Sequence, residues 1–309
     1  MKICSLLPSA TEIVCSLGLE DQLVGISHVC DYPVSLIDSD ALVVTKRSSE
    51  MVGLSSQAID KVIKSNRERK IATQIVDADL LRQLSPDIIL TQELCYVCAV
   101  EYGAVCDVTT EILDYEPQIV SLKPAGVDDI LENIIKIAEV CNVKGSGEKL
   151  VNSIRSRMNF VIDKLAQASD LKAPRTFCID WLAPLRNTGQ WIPELIEMAG
   201  GREELAEKNG KSREVSWEEV LKYDPDIIFS MPCAFPMDEV KEASRSAFSE
   251  ISHFNDINAV RNGQVYLFDG QVPSRHGPRF IEVLENFAEV INPQLFQGLV
   301  NTKLYTNLE

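Results

Sequence analysis

The sequence lacks the features that define several large classes of protein. Over its 309 residues no apolar run approaches the roughly 18–20 residues needed to cross a bilayer, so we expect no membrane insertion. There is no Gly-x-x-x-x-Gly-Lys-Ser/Thr phosphate loop, no Gly-x-Gly-x-x-Gly fingerprint and no Gly-x-Ser-x-Gly nucleophile elbow. No other catalytic group can be nominated, and we therefore expect a protein that is not an enzyme.

Positive charge is also scarce. The formal net charge is −16, and no basic run interrupts the acidic background. An acidic surface repels the phosphates of nucleic acids and of anionic lipids, which argues against both as partners. Apolar residues make up 45% of the chain, which is ordinary for a globular protein, and the length allows two domains with separate cores.

The features of a secretion signal are missing as well. Residues 2–7 have the pattern of a strand, and Pro8 and Ser9 open a helix for which Ser9 is the candidate N-cap. A basic segment, a long apolar segment and a small-residue cleavage site are not found at this end. We therefore expect a cytoplasmic protein, or an extracytoplasmic one if the natural start has been trimmed.

What the sequence does contain is a repeat. Residues 84–90 (LSPDIIL) recur as residues 223–229 (YDPDIIF), each copy following a helix-like amphipathic run and entering a short apolar run typical of a buried parallel strand. Residues 9–25 and 190–207 also correspond, because each has the pattern of an amphipathic helix closed by glycine. The repeat indicates two α/β lobes of similar build, although two unrelated α/β units would share much of this pattern.

A helical segment is predicted between the lobes. From Gly126 to about Ala168 there is no proline, and apolar residues recur at helical spacing, which predicts one long helix or two nearly collinear helices interrupted around residues 145–147. A rigid connector would leave a cleft between the lobes, where small ligands usually bind. The predicted organisation is an N-terminal lobe at 1–124, a connecting helix at 125–170, a C-terminal lobe at 171–293 and a loosely ordered tail at 294–309.

Cysteine is frequent and histidine is rare, with nine and three residues respectively. Cys95 and Cys98 have the spacing of a metal half-site or a redox pair, and His28, Cys30 and Cys233 each follow another predicted strand. Two interpretations stay open. These five side chains bind a metal ion or an iron–sulfur cluster, or they are thiols and an imidazole that line or pack a cleft.

Further candidates for ligand binding follow predicted strands, because ligands of open α/β sheets bind beyond the carboxyl ends of the strands. Trp181 and Trp191 fall in such segments, which leaves only Trp217 elsewhere. Arg275 and His276 belong to a loop with positive, titratable side chains, which would suit a carboxylate, a phosphate or an amide-rich ligand.

Several of these segments together resemble a known family. The segments are SLLPSATEIVCSLGLEDQLVGISHVCDYP, LSPDIILTQELCYVCAV, GQWIPELIEMAGG, DPDIIFSMPC, VRNGQVYLFDG and SRHGPR. They resemble the cobalamin-binding, helical-backbone (class III) ABC-transporter substrate-binding proteins, in a branch without a signal peptide, and the resemblance runs from about Ile3 to Pro293. It implies an α/β fold of two Rossmann-like lobes joined by a long connecting helix, with the ligand held in the cleft between them.

The resemblance also implies a ligand and a partner. The ligand would be cobalamin or a related corrinoid or tetrapyrrole, and the partner an ABC permease. The flat rings of Trp181 and Trp191 suit a large macrocycle. The amide-rich rim of cobalamin needs neutral donors and acceptors, for which the candidates are Ser9, Thr11, Gln92 and Gln190. The alternative function is that of a Cys/His metal-binding or iron–sulfur protein with a redox or metal-handling role.

Overall fold

The computed structural model describes residues 1–47, 56–68, 74–92, 115–168 and 171–308. The chain divides into two compact units, the first formed by Met1–Pro124 with Asp128–Asn152 and the second by Ala125–Val127 with Ser153–Glu309. Each unit has its own sheet, and no sheet runs across both among the described residues. The predicted fold of two α/β lobes is thereby confirmed.

The first unit is built around a parallel sheet with the strand order β3-β2-β1-β6-β7. A separate antiparallel pair, β4 with β5, lies in the same unit. The strands are β1 (Ile3–Ser5), β2 (Leu23–Ile26), β3 (Leu42–Val43), β4 (Thr45–Arg47), β5 (Gln74–Val76), β6 (Ile88–Gln92) and β7 (Gln118–Leu122), and the helices before β7 are α1 (Pro8–Ser16), α2 (Ser56–Glu68) and α3 (Ala78–Leu84).

The second unit has a mixed sheet with the order β12-β11-β10-β8-β9, in which β8, β10 and β11 are parallel and the two outer strands are antiparallel. Its strands are β8 (Thr176–Leu182), β9 (Leu185–Asn187), β10 (Ile227–Ser230), β11 (Val265–Phe268) and β12 (Tyr305–Asn307). The remaining helices that the structure describes are α4 (Val127–Val140), α5 (Lys144–Ala166), α6 (Ile192–Met198), α7 (Trp217–Tyr223), α8 (Met237–Ser249), α9 (Asn258–Arg261), α10 (Phe280–Ile291) and α11 (Pro293–Phe296).

The repeated Pro-Asp segment performs the same task in both units. Asp87 accepts a hydrogen bond from the backbone N–H of Lys2 at 2.7 Å, and Asp226 accepts one from the backbone N–H of Arg175 at 2.8 Å. In each case the carboxylate binds the backbone N–H of the residue that precedes a central strand, β1 or β8. The residues directly after the aspartate form the neighbouring strand, β6 or β10. The repeat therefore marks structurally equivalent positions, as the sequence predicts.

The segment predicted to join the lobes contains two helices, α4 and α5. The helices are interrupted at residues 141–143 and not at 145–147. Asn142 takes a left-handed conformation (φ +58°), and the N–H of Val143 donates to the carbonyl of Ala138, which ends α4. Gly147 lies inside the first turns of α5, where a Cβ would collide with the Ala138 side chain. This glycine is needed for close packing, and the role of the segment as a rigid connector stays a prediction.

Two local expectations are wrong. The N-cap of α1 is Leu7 and not Ser9, because Pro8 occupies the first helical turn, where its missing N–H costs nothing. The tail is not loosely ordered: β12 pairs with β11, and the buried amide of Asn286 donates to Thr302 and accepts from the N–H of Leu304. In the part of the chain that is described, no helix is long and apolar enough to cross a membrane.

Candidate functional site

The first unit gathers several predicted site residues at the carboxyl ends of β1, β2 and β6. The register aligns Ser5 with Ile26 and Leu90, so the segments that follow these strands leave the sheet at one edge. The segments carry Ser9, Thr11, His28 and Cys30, and Gln92 is the last residue of β6. We call this edge the first-unit site.

Thr11 holds two loops of the first-unit site together. Its hydroxyl lies 2.8 Å from the Ser5 hydroxyl, 3.2 Å from the carbonyl of Leu7 and 3.1 Å from the thiol of Cys30. Thr11 is fully buried, and Ser9 and Gln92 are also buried. These polar side chains therefore shape the site from beneath its surface in this conformation.

His28 has a well-defined orientation within the first-unit site. Its Nδ1 lies 2.8 Å from the Thr45 hydroxyl, which also lies 3.0 Å from the Ser27 hydroxyl and accepts the backbone N–H of His28 at 3.0 Å. Burial, together with the positive charge of Arg47, lowers the pKa of His28 below its usual value. The imidazole is consequently neutral at pH 7.

The predicted metal set is brought together only in part. His28 and Cys30 lie in the first unit and Cys233 in the second, while Cys95 and Cys98 fall outside the described residues. Within the described ranges, no group of three or more His, Cys, Asp or Glu side chains is placed to hold a metal ion. No disulfide links the cysteines of those ranges.

In the second unit the predicted residues lie near the carboxyl ends of β8, β10 and β11. Trp181 is the penultimate residue of β8; its indole N–H donates to the carbonyl of Ala183 at 3.1 Å, and its ring meets Phe235 edge-on at 5.5 Å. Cys233 follows β10, and its N–H donates to the carbonyl of Asp180 at 2.9 Å. The half-buried Trp181 ring thus has a fixed direction. We call this edge the second-unit site.

Asp180 brings a titratable group to the second-unit site. Burial raises the pKa of its carboxyl to about 6, while a hydrogen bond from Ser212 and the charge of Arg186 oppose the rise. The Arg186 guanidinium donates to the Ser212 hydroxyl at 3.3 Å and to its carbonyl at 3.1 Å. The hydrogen bond from Ser212 therefore lowers the pKa of Asp180, against the larger effect of burial.

Trp191 and His276 are packed inside the second unit. Each is only 3% exposed, the two rings meet edge-on at 6.0 Å, and the Trp191 indole donates to the carbonyl of Pro273. Burial lowers the pKa of His276 to about 4, so the positive charge expected of this residue is absent at pH 7. The positive charge of this loop therefore comes from half-buried Arg275 and from Arg279, which pairs with Glu282 at 3.2 Å.

Gln190 has a strained backbone and an available side chain. Its φ is +56°, its N–H donates to Gly210 at 2.6 Å, and its carbonyl accepts from Asn209 at 3.0 Å. The side-chain amide forms no hydrogen bond with any residue in the described ranges. Of the neutral candidates named from the sequence, Gln190 is thus the one whose geometry leaves its amide for a ligand.

Glu203 is a buried carboxyl that sequence reasoning missed. It is 9% exposed, and its two oxygens accept the N–H groups of Cys178 at 2.8 Å and Leu205 at 3.0 Å. Burial raises the pKa of Glu203 to about 8. It anchors the start of the segment whose later residues contact Gln190 and Asp180. Nothing in the sequence distinguishes it from exposed Glu204.

We expect Glu203 to make the protein less stable as the pH rises. In the unfolded chain this carboxyl loses its proton near pH 4.3, whereas the folded protein keeps it until about pH 8. The stabilisation is fully present below the unfolded pKa and is lost as the pH rises through the folded pKa. The free energy of unfolding should fall by about 2 kcal/mol between pH 6 and pH 7.5 from this group.

Urea unfolding at these two pH values measures the effect. In Glu203→Gln the free energy of unfolding should change little between these pH values. Glu204→Gln, which changes an exposed neighbour, should keep the pH dependence of the wild type. Equal slopes in all three proteins would show that Glu203 is ionised in the folded state.

Both the sequence and the fold are similar to those of known proteins. The family described as "Periplasmic binding protein" matches residues 3–272. The ABC transporter substrate-binding lipoprotein YvrC of Bacillus subtilis (strain 168) is 25% identical over 300 residues, covering 96% of this chain and 81% of that protein. The vitamin B12-binding protein of Vibrio cholerae serotype O1 is 23% identical over 291 residues, covering 92% and 86%. A periplasmic heme-binding protein of Pseudomonas aeruginosa superposes with a TM-score of 0.72 at 19% identity, covering 100% and 98%.

Proposed function

The chain belongs to the periplasmic binding protein family, and from that premise we propose that it binds cobalamin or a related corrinoid. It is a substrate-binding protein of the ABC-transporter type and not an enzyme. The relatives include a protein named for vitamin B12 and one named for heme. The choice of a corrinoid therefore rests on the chemistry of the two sites.

The observation that carries the proposal is the aromatic surface of the second-unit site. The Trp181 ring is held at one end by its bond to Ala183 and at its side by Phe235. A ring held in one orientation loses little conformational freedom when a large planar ligand packs against it. Gln190, whose amide is available, adds a neutral donor and acceptor that matches an amide on the rim of a corrin.

The uncharged side chains of the first-unit site suit a corrinoid. Ser9, Thr11 and Gln92 are neutral donors and acceptors, and burial lowers the pKa of His28. The rim of cobalamin carries neutral amides, which such groups can bind. The cleft expected between the lobes, the ABC permease as a partner and the cytoplasmic location stay predictions.

Titration of the purified protein with cobalamin tests the proposal. We expect quenching of tryptophan fluorescence and saturable heat at micromolar ligand, which corresponds to a binding free energy of about −8 kcal/mol. Trp181→Ala should weaken binding by about tenfold to a hundredfold, because it removes the aromatic contact. Trp217→Phe is the matched control, since Trp217 packs against Phe248 and Phe254 in the core of the second unit.

The same titration with hemin separates the competing ligands. Saturable binding of hemin together with no response to cobalamin or cobinamide would overturn the corrinoid proposal and favour a tetrapyrrole with acidic side chains. Stoichiometric iron and sulfide in the anaerobically purified protein, again without corrinoid binding, would favour the Cys/His alternative.

A further inference from the structure

The imidazole of His28 is oriented by a small network of hydroxyl groups. Thr45 Oγ1 contacts three groups: the backbone N–H of His28 at 3.0 Å, His28 Nδ1 at 2.8 Å and Ser27 Oγ at 3.0 Å. Thr45 and Ser27 are both buried, so their hydroxyls are held in place by these bonds. The ring is therefore fixed by residues from two separate segments of the first unit.

Two arrangements of protons satisfy Thr45, because a hydroxyl accepts two hydrogen bonds and donates one. In both, Thr45 Oγ1 accepts the backbone N–H of His28. It then either accepts Nδ1–H and donates to Ser27 Oγ, or accepts the Ser27 O–H and donates to Nδ1. In the first arrangement the proton of the neutral ring is on Nδ1, and Nε2 keeps its lone pair.

Nε2 is an orphaned polar atom in this network, and it is an acceptor when Nδ1 carries the proton. The atom is buried and has no hydrogen-bond partner among the residues that the structure describes. Because a buried polar group without a partner costs free energy, such groups mark positions that a ligand, an ion or a water completes.

The same arrangement is typical of histidines that bind metals. A metal-binding histidine coordinates through one nitrogen and donates the N–H of the other to an oxygen that fixes the ring. In this protein Thr45 is that oxygen, and Nε2 is the nitrogen that remains. The residues present therefore fit a ligand that contains a metal with an open axial position.

We propose that Nε2 of His28 is the axial ligand to the cobalt of the bound corrinoid. The inference rests on the proposed function and adds to it the residue that recognises the metal. Coordination uses the lone pair of Nε2, while Nδ1 keeps its proton and its bond to Thr45. In the conformation that the structure describes, Nε2 is covered from solvent.

Cobinamide is the appropriate probe, because it lacks the nucleotide base that can occupy an axial position of cobalamin. We would add reduced, paramagnetic cobinamide to the full-length protein and record its electron paramagnetic resonance spectrum. Coordination by one imidazole nitrogen splits each cobalt line into three. In protein grown with ¹⁵N-labelled histidine the same line should split into two, which assigns the nitrogen to a histidine of the protein.

The variants identify which histidine is the ligand. His28→Ala should lose the nitrogen splitting while corrinoid binding remains measurable by calorimetry. Thr45→Val should weaken cobinamide binding by about tenfold to a hundredfold, because it removes the oxygen that orients the ring. Thr45→Ser should restore binding and splitting. His253→Ala changes an exposed histidine and should leave the spectrum as in the wild type.

Each outcome separates this inference from the proposed function. Cobinamide that binds to the wild type without nitrogen splitting overturns the axial ligand and leaves the binding function standing. Splitting that persists in His28→Ala also overturns the inference, because another residue would then be the ligand. A protein that binds neither cobalamin nor cobinamide overturns the proposed function and this inference together.

Discussion

Gly270→Ala adds a single methyl group and should destabilise the protein strongly. Gly270 follows β11 and is buried against the turn after β10, where an added Cβ would collide with the carbonyl oxygen of Pro232 and lie 3.1 Å from that of Phe235. Both of these atoms belong to the backbone, so neither can rotate away. We expect a loss of at least about 3 kcal/mol in the free energy of unfolding, or a failure to fold.

The loss should reach the second-unit site as well. The N–H of Gly270 donates to Phe235 at 2.9 Å, and its carbonyl accepts from Ala234 at 3.2 Å, so the glycine positions the turn that carries Phe235. Because Phe235 supports the Trp181 ring, the proposed binding of a corrinoid should also be weaker in any folded Gly270→Ala protein.

Denaturant unfolding of Gly270→Ala, with Gly145→Ala as the control, checks this prediction. Gly145 lies in the first turn of α5 with open space where a Cβ would sit, and alanine is a better helix former than glycine. We expect the control to be unchanged or slightly more stable. Equal stability of the two variants would mean that the turn after β10 yields to the added methyl group.

Arg157→Met should produce the second large effect. The Arg157 guanidinium, from α5, forms two hydrogen bonds to Glu285 of α10, at 2.7 and 2.6 Å. The Glu285 side chain is 10% exposed, and methionine would leave its charge buried without a partner. Because Arg157 is partly exposed, we expect a loss of about 2–3 kcal/mol, below the cost of breaking a fully buried pair.

A double-mutant cycle distinguishes the buried charge from lost packing. Arg157→Met combined with Glu285→Leu should recover most of the stability, because no uncompensated charge remains. Lys241→Met, which removes an exposed partner of Asp238, should have no measurable effect. If the double variant is as unstable as Arg157→Met alone, the cost comes from packing of the α5–α10 contact.

The sequence by itself predicts the repeated architecture, because the relevant signals are local. Asp87 and Asp226 each follow a proline and precede an apolar run, and both bind the residue before a neighbouring strand. The capping box of α7, formed by Ser216 and Glu219, is a pattern of residues three apart that is visible in the sequence. Such signals depend on spacing along the chain and can therefore be recognised without knowledge of the tertiary structure.

The tertiary structure decides which polar and aromatic candidates face outward. Trp181 and Trp191 are equivalent in the sequence, since both follow predicted strands, yet Trp191 is buried against Pro273 and His276. The charge of His276 is lost for the same reason, because burial disfavours the protonated ring. Burial depends on which distant segments cover a residue, and the spacing of residues along the chain does not indicate which segments these are.

The network around His28 shows the same division. The sequence places His28 after β2, where ligands of α/β sheets bind, and its rarity makes it a candidate. Only the fold brings Thr45, 17 residues further on, within hydrogen-bond distance of its ring. Local pattern thus determined the elements and the edge of each sheet that forms a site, whereas contacts between distant segments decided the orientation, charge and exposure of each side chain there.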